Sequence, residues 1–471
     1  MSGDEKHKIY KLNERDLSVL VFSLFFSWLL AFPFEGQVLY AYLDKYDMYA
    51  SRIIFESIIA HLIGMLICSY FVRDIEDARK VIKISIAVCI AGTLIFFVKT
   101  IFLWRISLVV CSFMAGSSVA AWGFYYKEWS KSNERIYTAA DILIFSNILM
   151  IAINVTAINL SVNAGIFLSL TFLSAAYVLL HKLPKHCDSI KEFSGSDCSK
   201  LKIKKPLILL CIFIVIITIN AGLMYQVINP EFEHLKLLTS WYWAVPYIAA
   251  IYVVKRLPEK TSRTYALYVS IAMIGLSFIS FMVLDRSAGS YILIDTLMMG
   301  AFGVYDLFWW SIIGEMLDYT VNPSRIVGIG LSANVLGVLV GGMTGSAIRG
   351  TSFSSLNSSI LALIIVFVIL IILPVLHNQL SRLLKNHAYL TSVQEGENNH
   401  EIEDRQAVMN VLTGRENEIV DLLLKGRTYK MIAEELYLSE NTVKTHIKNI
   451  YSKLGIKSKT ELIRMFVDKT I

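Results

Sequence analysis

Near the C-terminus, Asn441, Lys444, Thr445, Lys448 and Ser452 recur at spacings of three and four, with Lys453 beside them. On a helix such residues share one face. Lysine ammonium groups neutralise phosphates, and asparagine, threonine and serine offer short donors and acceptors to base edges. The chemistry available to this face is therefore recognition of duplex DNA in a major groove. The opposite side carries Val443, Ile447, Ile450 and Leu454, a narrow apolar stripe suited to burial. From Glu440 onward, Lys444, Lys448, Lys453, Lys457, Lys459, Arg464 and Lys469 face only Glu440, Glu461 and Asp468. That balance predicts salt-sensitive binding to a polyanion; a helical domain that docks a cytoplasmic protein is the alternative.

Positioning that face takes several short helices. Thr413 and Glu416 have capping-box spacing and open a helix with Ile419, Leu422 and Leu423 inward, ended by Lys425, Gly426 and Arg427. A second helix, Tyr429 to Leu436, turns Ile432 and Leu436 inward. Leu438 then leads to Ser439, a good N-cap for the lysine-bearing helix Glu440 to Leu454. Ser458 and Glu461 open a fourth helix through Leu462, Ile463 and Phe466. Leu412, Thr413, Arg415, Glu416, Glu418, Gly426, Ile432, Ala433, Leu436, Ser439, Thr442, Val443, Lys444, His446, Asn449, Ile450, Lys453, Leu454 and Gly455 stand at the spacing of a known signature. Residues 409–471 thus resemble the LuxR/NarL type of helix-turn-helix domain. The resemblance implies that the third helix reads promoter DNA, with Lys444, Thr445 and Lys448 in the groove and Lys453 on a phosphate. It also implies that the final helix pairs two modules, giving a homodimer on DNA.

The rest of the chain is of another kind. The sequence is 55% hydrophobic and 17% charged over 471 residues, more apolar surface than soluble cores absorb. Twelve stretches are long enough to cross a hydrocarbon core of roughly 30 Å: Leu17 to Tyr40, Ile53 to Phe71, Val81 to Phe97, Ile106 to Phe124, Thr138 to Leu160, Ala164 to Leu180, Pro206 to Val227, Leu238 to Val254, Ala266 to Leu284, Tyr291 to Ile313, Ile326 to Ile348 and Ile360 to Leu376. The N-terminus and even-numbered connections carry 23 lysines and arginines against 7 in the others. By the positive-inside rule both termini face the cytoplasm, in a bacterial inner membrane. Leu17 to Tyr40 is too long for the core of a cleavable signal peptide and is followed by further spans.

The expected organisation is a cytoplasmic N-terminus (1–16), six spans (17–181), a basic central loop (182–205), six further spans (206–376), a polar linker (377–408) and the DNA-binding domain (409–471). The fold class is all-α, a polytopic bundle followed by a small four-helix domain. If about 25 linker residues are flexible, they span roughly 25–30 Å, which keeps the DNA-binding module near the membrane. The six-plus-six layout resembles the major facilitator fold, whose two halves enclose a cavity open alternately to each side. The family's loop motif survives as Arg73, Asp74, Asp77, Arg79 and Lys80, without its initial glycine.

Polar groups inside spans are costly and usually face an interior. Glu35, Glu56, Asn220, Gln226 and Asp295 all fall in the outer half. Asp306 lies three turns from Asp295 on one face, with Met299 and Phe302 between them. These six polar residues are the candidate ligand contacts, since the resembled family lines its cavity with spans one, seven and ten; the alternative is that they satisfy one another. Gly337, Gly341 and Gly345 suit close helix packing, more within the chain than in a dimer. Trp309 and Trp310 read as an interface anchor or a gate. His181, His186, Cys187 and Cys198 have ligand chemistry without a ligand motif, so neither metal nor cofactor is expected. Cys68, Cys89, Cys111 and Cys211 read as apolar fillers. No receiver, kinase, Walker or metalloprotease motif appears in a suitable context, and the chain is not expected to be an enzyme. The expected function is a one-component regulator that senses a small molecule or membrane signal; the alternative is a transporter carrying a regulatory domain.

Overall fold

A computed structural model describes residues 13–33, 36–46, 50–98, 100–184, 203–257, 263–349, 354–384, 412–424, 427–456, 458 and 461–462. The chain forms two compact units, Met1–Leu390 and Thr391–Ile471. Among the described residues all regular structure is helical. The linker expected at 377–408 and the central loop fall mostly outside them, as do Glu35, His186, Cys187 and Cys198.

The first unit is built from α1 (Glu14–Ala31), α2 (Gln37–Asp44), α3 (Ala50–Phe71), α4 (Ile75–Leu94), α5 (Ile101–Ala121), α6 (Gly123–Trp129), α7 (Arg135–Asn159), α8 (Val162–Leu180), α9 (Lys204–Leu223), two short helices α10 (Asn229–Glu231) and α11 (Lys236–Thr239), then α12 (Ala244–Arg256), α13 (Thr264–Val283), α14 (Ala288–Met316), α15 (Pro323–Arg349) and α16 (Ser354–Leu383). Large apolar side chains such as Phe71, Phe102, Phe167 and Ile371 are strongly exposed. Helices apolar on both their packed and their outer faces belong in lipid, and the first unit is a membrane protein.

Among the described residues ten helices are long and apolar enough to cross a membrane, or eleven if one bent pair counts as a span. Two of the twelve expected spans are broken rather than single straight helices. The first expected span is divided: α1 carries Glu14, Arg15 and Asp16 in its first turn and stops at Ala31, before Pro33. Gly36 then caps α2, where a Cβ would overlap the Ala31 carbonyl, so only glycine lets the chain turn so tightly. The eighth span is the bent pair, broken by 43° between Thr239 and Ala244. There the Ser240 hydroxyl caps Leu237 O at 2.7 Å, and Pro246 sits in the first turn of α12, where its missing N–H does no harm.

Asp74 caps α4 through Asp77 N at 2.8 Å. Arg79 donates to the carbonyls of Leu180, His181, Leu183 and Pro184, closing the C-terminal end of α8. What remains of the loop motif is thus a helix clamp. The α15 glycines pack within the chain, as expected: a Cβ on Gly341 would overlap the Ile219 carbonyl, and one on Gly337 the Thr218 hydroxyl, both on α9. Gly341→Val is expected to wedge α9 from α15 at a cost of about 2 kcal/mol or more. Thermal unfolding in detergent checks this against Gly289→Val, where an added Cβ meets only the Ser287 hydroxyl, at 3.9 Å.

The second unit contains α17 (Gly414–Leu424), α18 (Tyr429–Glu435) and α19 (Glu440–Leu454). Leu412, Ile419, Val420, Leu422, Leu423, Ile432, Ala433, Val443, Ile447, Ile450 and Leu462 form its core, with Leu436 and Leu454 packed against it. Each buried aliphatic side chain contributes about 1.5–3 kcal/mol relative to exposure.

Candidate nucleic-acid interface and central cavity

The second unit holds the lysine-bearing helix by caps at both ends. Ser439 accepts from Thr442 N at 3.1 Å, and Gly455 leaves the helix with φ 68°. α17 begins with the expected capping box: Thr413 N and Thr413 Oγ1 both donate to Glu416, at 2.8 and 2.9 Å. Thr428, not expected, caps α18 through Met431 N. Arg415 donates to Leu436 O at 2.6 Å and so joins α17 to the end of α18. Between α18 and α19, Tyr437 takes φ 56° and is 95% exposed. A left-handed tyrosine costs on the order of 1 kcal/mol, and no local sequence signal announces it.

With the apolar stripe of α19 buried, Asn441, Lys444, Thr445, Lys448 and Ser452 are all exposed along its other face. Lys444 forms an exposed pair with Glu440 at 2.9 Å. Such surface pairs are weak and exchange readily for a phosphate or a base. Lys453 differs, since its ammonium lies 2.7 Å from a Glu416 carboxylate that is only 5% exposed. The lysine hydrogen bond, helped by Thr413, holds the Glu416 carboxyl below its ordinary value of 4.5. Lys453 therefore ties α19 to α17, a role its spacing did not reveal.

In the first unit, two chambers share Leu30, Met224, Tyr225, Trp243 and Met299 in their walls. The outer chamber, about 570 Å³, is lined by Gln37, Asp44, Gln226, Glu233, Lys236, Tyr291, Asp295 and Arg349 among others. The inner chamber, about 140 Å³, is lined by Phe26, His61, Asn147, Tyr247, Phe302, Asp306, Trp309, Trp310 and Asn334 among others. The aromatic and sulfur-bearing walls of the inner chamber, with few convergent polar groups, are usual for a small-molecule site, and the outer chamber is more polar.

The chambers lie toward the end of the bundle where α2, α7, α9 and α15 finish and α14 begins. The other end is closed. Asp141 on α7 accepts from Arg15 on α1 at 2.7 Å and from Lys255 on α12. Arg135, 3% exposed, donates to Asp318 at 2.6 Å and to Gly314 O at 3.0 Å. Lys127 donates to Thr320 O at 2.7 Å, and Asn322 reaches Val72 O at 3.0 Å. Beneath the inner chamber Phe22, Trp122 and Tyr126 stack at 4.4 and 4.7 Å, and Phe26 meets Trp310 edge-on at 6.1 Å. Trp309 and Trp310 are 1% and 4% exposed, so the interface-anchor expectation gives way to a cavity floor.

The sequence-derived polar residues separate. Gln226, Asp295 and Asp306 line the chambers, and the shared face of Asp295, Met299, Phe302 and Asp306 runs from one chamber to the other. Gln226 sits in a π-helical turn, Met224–Ile228, and accepts from Ser346 at 3.2 Å. Asp306 accepts from the Tyr247 hydroxyl at 2.5 Å. Arg105 binds both carboxylate oxygens of Glu56, joining α3 to α5, and Glu56 lines neither chamber. Asn220 is fully buried on α9 and lines neither chamber. Glu35 lies outside the described residues. Asn147 and Asn334 went unnoticed, although the rule that selected Gln226 applies to them equally. His181 places Nδ1 2.8 Å from Tyr177 O.

Comparison with known proteins separates the two units. Residues 410–466 match the family described as bacterial regulatory proteins, luxR family. The spore germination protein GerE of Bacillus subtilis is 48% identical over 59 residues, 12% of this chain and 80% of that protein. The transcriptional regulatory protein LiaR of Bacillus subtilis is 52% identical over 50 residues, and DegU of Brevibacillus brevis 36% over 85. The chain spans only 24% of LiaR and 36% of DegU. The first unit is similar in fold to a bacterial homologue of the iron transporter ferroportin in an outward-facing state, with TM-score 0.61 and 13% identity, over 78% of this chain and all of that one. It is also similar to FucP, a Major Facilitator Superfamily transporter in the outward conformation, with TM-score 0.52 and 13% identity, over 75% of this chain and 98% of that one. At such identities the likeness speaks for fold alone. By its C-terminal domain, carried behind a membrane unit of major facilitator fold, the chain belongs to the luxR family of bacterial regulatory proteins.

Proposed function

We propose that the protein is a membrane-bound, one-component transcriptional regulator. The membrane unit senses a small molecule or membrane signal, and the C-terminal domain binds promoter DNA, as a homodimer through its final helix. The observation that carries this reading is the exposed face of Asn441, Lys444, Thr445, Lys448 and Ser452 on a helix whose caps and apolar stripe fix its rotation. Lys444, Thr445 and Lys448 contact the groove. Lys453 reaches a phosphate only by leaving Glu416. Both termini lie in the cytoplasm, where the chromosome is accessible, and the open chambers then face outward. A ligand drives the switch if it binds one arrangement of the two halves better than the other by a few kcal/mol.

Lys448→Ala is expected to weaken specific binding by about 1–3 kcal/mol and to flatten the dependence of affinity on salt. The measurement is fluorescence anisotropy with full-length protein and duplexes recovered by selection from a random pool. Full affinity in the variant would remove α19 as the reading helix. Transport is the second reading, favoured by chambers open at one end and sealed at the other. Substrate accumulation in vesicles that is lost in Asp306→Asn, with DNA binding intact, would support it.

A further inference from the structure

We propose that the outer chamber takes an organic cation, an ammonium-bearing molecule with an apolar, ring-containing body, whose charge rests against Asp295. This rests on the sensor reading and names the ligand class for the same cavity. Asp295 is 5% exposed, and its Oδ2 has no hydrogen-bond partner within the protein. A carboxylate oxygen removed from water without a donor is costly, and a cation in contact with it offsets that cost.

The surroundings favour the same chemistry. Tyr291, Met299 and Trp243 share the chamber with Asp295, and indole and phenol faces attract cations. Lys236 and Arg349, the basic residues in the lining, are both exposed, whereas Asp295 is buried. The inner chamber beyond Met299 has no lysine or arginine in its lining; Asp306 is its carboxylate, already engaged by Tyr247. An anion moving inward would lose water and meet no buried counter-charge. The indole nitrogens of Trp243 and Trp309 also have no acceptor in the protein, so they suit an oxygen on the ligand body. A cavity of about 570 Å³ holds a ligand of drug size.

The test uses full-length protein in nanodiscs and three probes of matched shape: 2-phenylethylamine as cation, 2-phenylethanol as neutral molecule and phenylacetate as anion. Trp243, Trp309 and Trp310 line the chambers, so tryptophan fluorescence reports binding. Saturable binding is expected for the amine alone. Asp295→Asn should weaken it roughly thirtyfold or more, Asp295→Glu should retain part, and Asp306→Asn should change it far less. Equal or tighter binding of the alcohol or the carboxylate, no binding by any probe at millimolar concentration, or full affinity in Asp295→Asn overturns the proposal. If Asp295→Asn does not fold, the three-probe comparison on unaltered protein decides. A promoter response to compounds of another class would overturn the cation and leave the sensor standing. Amine binding without effect on DNA occupancy would sink the sensor and leave the site.

Discussion

Glu416→Ala should destabilise the C-terminal domain by about 2–3 kcal/mol, a large share of the margin of so small a core. The substitution removes the acceptor for Thr413 N and Thr413 Oγ1 at the start of α17 and leaves Lys453 without its partner. Hydrogen exchange of α17, α18 and α19 amides in the full-length protein measures the loss directly. Protection equal to wild type would show that the apolar core alone orders α19. Lys453→Met should cost less, because Glu416 keeps Thr413. The same carboxylate predicts a pH dependence. Its folded pKa lies below 4.5, so its contribution is complete above that value and is lost as the pH falls through the lowered folded pKa. In Glu416→Gln that acid-sensitive portion should disappear from the stability profile, with the remaining carboxylates still contributing theirs.

Arg135→Ala is expected to open the closed end of the membrane unit. The guanidinium is 3% exposed and bridges from Ser130 O, in the first half, to Gly314 O and Asp318 in the second. Asp318 is 38% exposed, so losing the guanidinium costs less than breaking a fully buried pair, about 1–3 kcal/mol, which converts to roughly a fivefold to hundredfold change in the ratio of two arrangements. Spin labels on Lys131 and Val321, exposed positions in opposite halves at that end, should then show a population at longer distance. An unchanged distance distribution would mean that Asp141, with Arg15 and Lys255, keeps the halves together unaided. Combining Arg135→Ala with Asp141→Asn separates the two networks.

Much of the C-terminal domain is local and was legible. The Thr413–Glu416 capping box, the Ser439 and Ser458 caps and the stripe of Val443, Ile447 and Ile450 are patterns within one or two turns, and the structure forms them as spaced. The membrane unit was legible as a class because lipid imposes composition over whole helices. The division of its first and eighth expected spans was less so. Pro33 and Pro246 were visible, but whether a proline bends, caps or ends a helix depends on neighbours distant in sequence.

Sequence alone determined that a helical membrane bundle precedes a luxR-type domain, and which side of α19 must stay in water. Hydropathy gives the bundle, periodicity gives the free side of α19, and the resemblance of the signature from Leu412 to Gly455 gives the family; each is read along the chain and needs no partner. Tertiary structure decided which polar groups face a cavity and which are consumed by one another. Glu56 was a ligand candidate by type and depth and Lys453 a phosphate candidate by resemblance; in the folded chain Arg105 and Glu416 pair with them. Asp295 kept an unpartnered oxygen. The physical reason is that a charge in a low-dielectric interior takes the nearest opposite charge, and proximity between residues tens of positions apart is fixed only when the helices pack.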